Sequence, residues 1–294
     1  MGIATAVTLH EYNIGHEIQL QEALAQESPG AVFLTSGESL TASSYASSVR
    51  LITANTAGAA EQISVIQRVC PEVPSVFFGS SEVFGYRENP GDIVDETALT
   101  NPSNPYGVSK AAMSQLIHLY REEFGLPVFE IVLFPHESEF RDPRFVVPKI
   151  VNSFAKFKNN PSAPPVEFGD IESTRDWGPA ESYMETIFEL ASREAYGRYL
   201  LGTGIAHSVL DIFHLASEVS ETPIEVDMGG VKGEIISQKT GQTIARFGVR
   251  DLPSRGHGVT ADSTKILAQV PKNEWLSLRD TINRMMTSSI SRIR

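Results

Sequence analysis

The chain has a single cysteine, Cys70. One thiol can form no intramolecular disulfide and no cysteine-ligated metal site, and it fits a reducing compartment. Long apolar runs are missing as well. No stretch approaches the roughly 20 residues that a membrane helix needs, and the opening MGIATAVTLHEYN lacks the basic start of an export signal. The expectation is a cytoplasmic protein without a membrane partner. Positive charge is scarce: 24 Lys and Arg stand against 36 Asp and Glu, a formal net charge of -12. That balance argues against nucleic acid and anionic lipid surfaces, but not against a nucleotide, whose diphosphate a few local arginines can hold. No repeat or low-complexity tract is present. With 41% of 294 residues hydrophobic, the chain can bury the core of one large domain, with or without a smaller appendage.

What is present in the first half is alternation. The segments AVTLH, AVFLTSG, SVFFGSS and PVFEIVLFP read as strands. HEIQLQEALAQES, SSVRLITANTAGAAEQISVIQRVC and YGVSKAAMSQLIHLYREEFG read as helices between them. Short, nearly continuous apolar strands alternating with helices predict a parallel sheet covered on both faces. Sites in such sheets lie at the carboxyl ends of the strands, where Gly79-Ser80-Ser81-Glu82 falls. From Asp142 the pattern loosens. VPKIVNSFAKF and SYMETIFELASREAYG read as helices, MGGVKGEIISQKTGQTIARFGVR as a hairpin and NEWLSLRDTINRMM as a further amphipathic helix. The predicted division is 1–141, a parallel α/β domain, and 142–294, a smaller α/β lobe with some strands returning to the main sheet.

Within YGVSK, Tyr106 and Lys110 are four residues apart and project from one helical face. An ammonium near a phenol favours phenolate, which makes Tyr106 a candidate acid/base. The bland alternative is a surface pair near a helix start. His136-Glu137 lacks a second His one turn on, so no helical metal motif is expected. Gly202-Thr203-Gly204 lacks the Lys of a phosphate loop and reads as a turn. For RDWG, with Arg175, a diphosphate contact and a buried Arg–Asp pair supporting Trp177 stay equally open.

Around these residues the chain resembles the extended short-chain dehydrogenase/reductase family, and within it the GDP-mannose 4,6-dehydratases. The resemblance runs through FFGSSEVFG, NPSNPYGVSKAAM, VLFPHESEFRDPRFVVPKI and GDIESTRDWGPAESYMETIF, and more weakly through LGTGIAHSV and ADSTKIL. It implies a nucleotide-sugar lyase with bound NADP or NAD that removes hydride at C4 of the hexose, eliminates water across C5 and C6, and returns the hydride. By the same resemblance Ser80 holds the reacting hydroxyl, Glu82 is the dehydration acid/base, Tyr106 is the redox-step base, and Lys110 lowers its pKa and binds the cofactor ribose. His136, Glu137, Lys149, Arg175, Arg250 and Arg255 would contact the substrate. Ser36 and Gly37, with Tyr106 and Lys110, would contact the cofactor. Family members commonly pair through their two long helices, so a homo-oligomer or a subunit of a complex is expected.

The resemblance also breaks. The family opens with a strand, a glycine-rich turn and a helix N-terminus that takes the cofactor pyrophosphate, and nothing in this sequence matches that turn. LHEYNIG aligns with a later family segment, so the resemblance implies a Rossmann-like sheet over 1–141 truncated at its N-terminus, with AVTLH paired beside AVFLT, a C-terminal α/β substrate lobe over 142–294, and weak cofactor affinity. Pro135 stands for an Asn, Pro148 for an Arg, and Leu252 where an Arg is expected. Three readings stay open: a divergent dehydratase, a cofactor-independent lyase or isomerase built on Glu82 and Tyr106, and an inactive structural or binding subunit.

Overall fold

The computed structural model describes residues 7–39, 45–229, 232–248, 256–270 and 274–293. The first elements are α1 (Glu17–Glu27), β1 (Val32–Leu34), α2 (Ser48–Ile52), a π turn (Thr53–Ala57) and α3 (Gly58–Val69), the last three continuous with one another. Next come β2 (Ser75–Ser80), a 3-10 turn (Ser81–Phe84), β3 (Tyr86–Arg87), β4 (Ile93–Val94), α4 (Pro105–Phe124), β5 (Val128–Leu133) and β6 (His136–Glu137). The chain continues through α5 (Val146–Asn159), β7 (Val166–Phe168), β8 (Thr174–Arg175), β9 (Gly178–Pro179), α6 (Ala180–Ala191), β10 (Gly197–Leu201) and β11 (His207–Ser208). It ends with α7 (Val209–Ser220), β12 (Ile224–Asp227), β13 (Lys232–Ser237), β14 (Thr243–Gly248), β15 (His257–Gly258), β16 (Thr260–Ala261), α8 (Thr264–Gln269) and α9 (Leu278–Ile293).

The main sheet has the order β1-β2-β5-β10, all parallel. Its centre, β5, is buried at every position, which is why VFEIVL reads as an almost unbroken apolar run rather than an alternating one. Alternate side chains go to opposite faces. Phe77 and Val128 pack with α1, α3 and α4, through Leu24, Ile63, Ile66, Met113 and Ile117. Val76, Phe129 and Ile131 pack with α6 and α8, through Tyr183, Ile187, Leu190 and Ile266. The expected α/β Rossmann-like architecture is therefore present.

Residues beyond Asp142 supply both the lobe and strands that return. The lobe is an antiparallel β12-β13-β14 meander with β7 added in parallel, and the predicted hairpin is β13–β14. Ile235, Ala245 and Phe247 face Val151, Phe154, Phe213 and Met286 from α5, α7 and α9. β10 joins the main sheet beside β5, while β15 pairs with β3 and β16 with β4. None of the described helices is long and apolar enough to cross a membrane.

The AVTLH strand is not formed. Val7–His10 lie in no strand, Val7 and Leu9 are 77% and 82% exposed, and β1 is the sheet's edge. Thr8 Oγ1 and His10 Nε2 instead hydrogen-bond the Glu27 carboxylate at the end of α1. With three residues, β1 offers a short ladder, and the side-chain bonds to Glu27 take the segment elsewhere.

Candidate active site

α4 begins where three local signals coincide. Asn104 is extended and its Oδ1 accepts from the Gly107 N–H at 2.9 Å, Pro105 occupies the first turn where its missing N–H costs nothing, and Gly125 ends the helix at φ 63°. The same Asn104 donates from Nδ2 to Glu82 Oε2 at 2.6 Å. One side chain thus caps the helix and fixes the carboxylate 22 residues before it. Gly107 explains the second letter of YGVSK: a Cβ there would lie 2.5 Å from the Glu82 carbonyl oxygen. Only glycine lets the first turn of α4 press against the turn that follows β2.

That closeness brings Ser80, Glu82 and Tyr106 together at the carboxyl end of β2. Ser80 Oγ accepts from the Glu82 N–H at 3.3 Å, and Tyr86 Oη donates to Glu82 Oε2 at 3.2 Å. Tyr106 is buried and its phenol is pushed up to about 12, chiefly by burial; a hydrogen bond from Ser80 pulls it down, the Glu82 charge adds to the rise, and Arg141 opposes it. Lys110, expected to lower it, is not among the groups acting on it in this arrangement. Lys110 Nζ donates to the Phe78 carbonyl at 2.8 Å and approaches Met113 Sδ at 3.9 Å, so its charge is spent on the backbone of β2. Burial brings Lys110 down to about 8, against the raising effect of Glu130.

β6 follows the carboxyl end of β5. His136 Nδ1 bonds the Phe134 carbonyl at 2.9 Å, and burial lowers its pKa, so the imidazole is neutral. Glu137 is 3% exposed; burial pushes it up to about 8 while Arg141 pulls the other way. Its Oε2 lies 3.9 Å from Arg141 Nε, beyond hydrogen-bond reach, and neither atom has a hydrogen-bond partner. The guanidinium sits instead 3.6 Å over the Phe145 ring.

Other expected contacts point elsewhere. Lys149 Nζ donates to the Glu167 carbonyl and lies 4.6 Å from the Phe168 ring, facing the lobe sheet. Arg175 donates to the Thr174 carbonyl and stacks 4.6 Å over Tyr86, the residue that holds Glu82. The Arg–Asp pair considered for RDWG is not present: the fully buried Asp176 accepts from the Thr203, Gly204 and Ala261 N–H groups and from the Thr203 hydroxyl. Gly202-Thr203-Gly204 is accordingly a turn folded onto that carboxylate. Arg250 and Arg255 lie outside the described residues, as does Leu252.

At the β1 end, Ser36 Oγ accepts from Gln62 Nε2. Gly37 takes φ 147°, and a Cβ there would lie 2.6 Å from Asn55 Oδ1 and 3.8 Å from Lys110 Nζ. Asn55, buried in the π turn, receives the Glu38 N–H and donates to Ser109 Oγ of α4. Gly37 thus lies between the Asn55 amide and the Lys110 ammonium, with no room there for a side chain. The pyrophosphate end has no cradle among the described residues. α1 starts with an acidic Glu17 and no side-chain cap, and the Gly15 N–H is already bonded to Glu61 Oε2 at 2.7 Å.

Residues that sequence reasoning missed are Asn104, Asn55, Asp176 and Glu130. Glu130 alone had a visible signal, a lone acid inside the apolar run VFEIVL. Among the described residues no cluster of three or more His, Cys, Asp or Glu could hold a metal ion.

Comparison with known proteins places this geometry. A family model described as GDP-mannose 4,6 dehydratase matches residues 2–285. The chain belongs to the GDP-mannose 4,6 dehydratase family. GDP-mannose 4,6-dehydratase sdnI of Sordaria araneosa is 30% identical over 221 residues, 74% of this chain and 40% of that protein. GDP-mannose 4,6-dehydratase of Sinorhizobium fredii (strain HH103) is 27% identical over 194 residues, 66% of this chain and 55% of that one. The chain thus spans about half the length of the curated relatives it matches. Among solved structures, RMD from Pseudomonas aeruginosa, complexed with NADPH, superposes with a TM-score of 0.81 at 18% identity, over 96% of this chain and 88% of that one. MoeE5 in complex with UDP-glucuronic acid and NAD gives 0.75 at 18%, over 93% and 82%. These two likenesses establish the fold that the family membership implies.

Proposed function

We propose that the chain is a nucleotide-sugar-modifying enzyme of the lyase class, eliminating water from a hexose in the manner of its dehydratase relatives. The observation that carries this reading is the convergence of Ser80, Glu82 and Tyr106 at the end of β2, with Glu82 fixed by two donors, Asn104 and Tyr86. A nicotinamide cofactor would be held by Gly37 and Lys110 and would supply reversible hydride acceptance between C4 and C6 of the hexose.

The chain's own residues handle the protons. Ser80 holds the C4 hydroxyl and Tyr106 takes its proton. Glu82 removes the proton from C5 and delivers it to the C6 hydroxyl, which leaves as water. Because burial keeps the Tyr106 phenol protonated, proton acceptance needs a cationic group turned toward it, and Lys110 lies one helical turn away. Neutral His136 and buried Glu137 offer polar contacts to the sugar. Arg175, on the far side of Tyr86, is placed to meet a phosphate if its guanidinium leaves the ring.

A second copy of the chain is the proposed partner. Val49 and Ile52 of α2 and Val108 and Leu119 of α4 are 80%, 47%, 47% and 61% exposed, an apolar stripe on neighbouring helices.

The test is incubation of the purified protein with GDP-mannose and NADP, followed by proton NMR for a 4-keto-6-deoxy sugar. Product that disappears in Glu82→Gln supports the reading. A folded protein that binds the nucleotide sugar but makes no product with either NADP or NAD refutes it in favour of a binding subunit.

A further inference from the structure

Glu130 sits in the centre of β5, paired with Phe77 of β2 on one side and Arg198 of β10 on the other. It is 2% exposed, the most deeply buried Glu in the chain's described part. A carboxylate in the middle strand of a parallel sheet has no solvent and no free backbone donor to satisfy it, so it needs another counterpart. The local geometry provides room and a cation. Position 79 on the neighbouring strand is a glycine, and a Cβ built there would lie 3.4 Å from Glu130 Oε1. Arg198 Nε is 3.7 Å from Glu130 Oε2, too long for a hydrogen bond, and the guanidinium lies 5.6 Å over the Phe84 ring. Glu130 Oε1 and Arg198 Nε and Nη2 have no hydrogen-bond partners. The pair is therefore only partly self-satisfied, and its field is available to a third group.

That third group is Lys110. Its ammonium is bonded to the carbonyl of Phe78, the residue before Gly79, on the strand that flanks Glu130. We infer that Glu130 is a positioning residue of the site: its carboxylate, lodged under Gly79 and steadied by Arg198, is the counter-charge that keeps the Lys110 ammonium at the edge of β2. Burial and Glu130 act on Lys110 in opposite directions, and the balance leaves it at about 8. The other charged or titratable groups around it do not substitute for Glu130. Tyr106 on its own helix is neutral, Glu82 is taken up by Asn104 and Tyr86, and Glu38 beyond Gly37 is paired with Arg50. Without Glu130, burial alone would drive Lys110 toward the neutral amine and weaken its bond to Phe78.

This inference rests on the acid/base reading of the site, and its test needs no substrate. Lys110 is labelled competitively with acetic anhydride from pH 6 to 11, and the extent is read by peptide mass spectrometry with Lys149 and Lys239 as internal controls. Glu130→Gln should move the Lys110 midpoint down by about one pH unit, and Arg198→Met should move it up, with the control lysines unmoved. Because Glu130→Gln leaves Arg198 uncompensated and can unfold the sheet, the double variant Glu130→Gln/Arg198→Met serves as the second arm, and it should titrate below the single variant Arg198→Met. A Lys110 midpoint that is the same in the folded double variant and in Arg198→Met overturns the inference. The failure of GDP-mannose turnover would leave this result untouched, so the two readings fail separately.

Discussion

Two regions of the protein bury carboxylates, and they treat them in opposite ways. At the junction of β10, β16 and the turn after β8, Asp176 is fully buried and receives three backbone N–H groups and a hydroxyl. On β5 and β6, Glu130 and Glu137 are almost as deeply buried, yet each keeps a carboxylate oxygen without a hydrogen-bond partner. A saturated carboxylate is a rivet: it joins strands far apart in sequence and has nothing left to offer a ligand. An unsaturated one carries the cost of desolvation without full return, which is what a group kept available to a ligand or a neighbouring charge looks like.

The sharpest way to break the comparison is Asp176→Ala. Four stranded donors should cost on the order of 3–5 kcal/mol of unfolding free energy, measured by urea titration. A loss below 1 kcal/mol would show that the junction is held by something else. Glu82→Gln and Tyr106→Phe should do the reverse, lowering turnover by about 100-fold or more while the melting temperature moves little.

Glu137 distinguishes the regions by pH. Its folded pKa is raised to about 8 from an ordinary carboxylate value, so the folded chain holds a proton that the unfolded chain has released. Stability should therefore fall as pH rises from about 5 to 8, and Glu137→Gln should flatten that slope. Lys110, lowered to about 8, has the opposite sign in a higher window: the unfolded chain binds the extra proton, so stability should rise from about pH 8 to 10, and Lys110→Met should remove the rise. Urea midpoints across pH check both slopes. The smallest effect is expected from Tyr86→Phe, which removes one of the two side-chain donors holding Glu82; Asn104 remains, and turnover should drop about tenfold or less with an unchanged melting temperature.

The sequence carried the elements better than their connections. Continuous apolar β5 and the β13–β14 hairpin each have a local cause, so each was legible. Val7–His10 was misread because a strand-like composition cannot say whether a partner strand is within reach, and Glu27 was nearer. For Lys110, the i,i+4 spacing from Tyr106 fixes a common helical face but not which of two neighbours, a phenol or the Phe78 carbonyl, receives the amine. Asn104 acts across 22 residues and Asp176 across 85, distances over which periodicity carries no information.

The return of the late chain also sets a timetable. The Thr260 N–H donates to the Asp92 carbonyl, and β16 lies against β4, 167 residues apart from first partner to first partner (260 minus 93). Val259 and Ala261 cover Val83, Phe84 and Val94, so the turn that carries Glu82 is covered by residues that are translated long after it. Contacts this distant close slowly, because the intervening chain must be ordered before they reward it. During synthesis the β2 turn therefore waits uncovered, its Phe84 open to chaperones, long after α4 has delivered Tyr106 beside it.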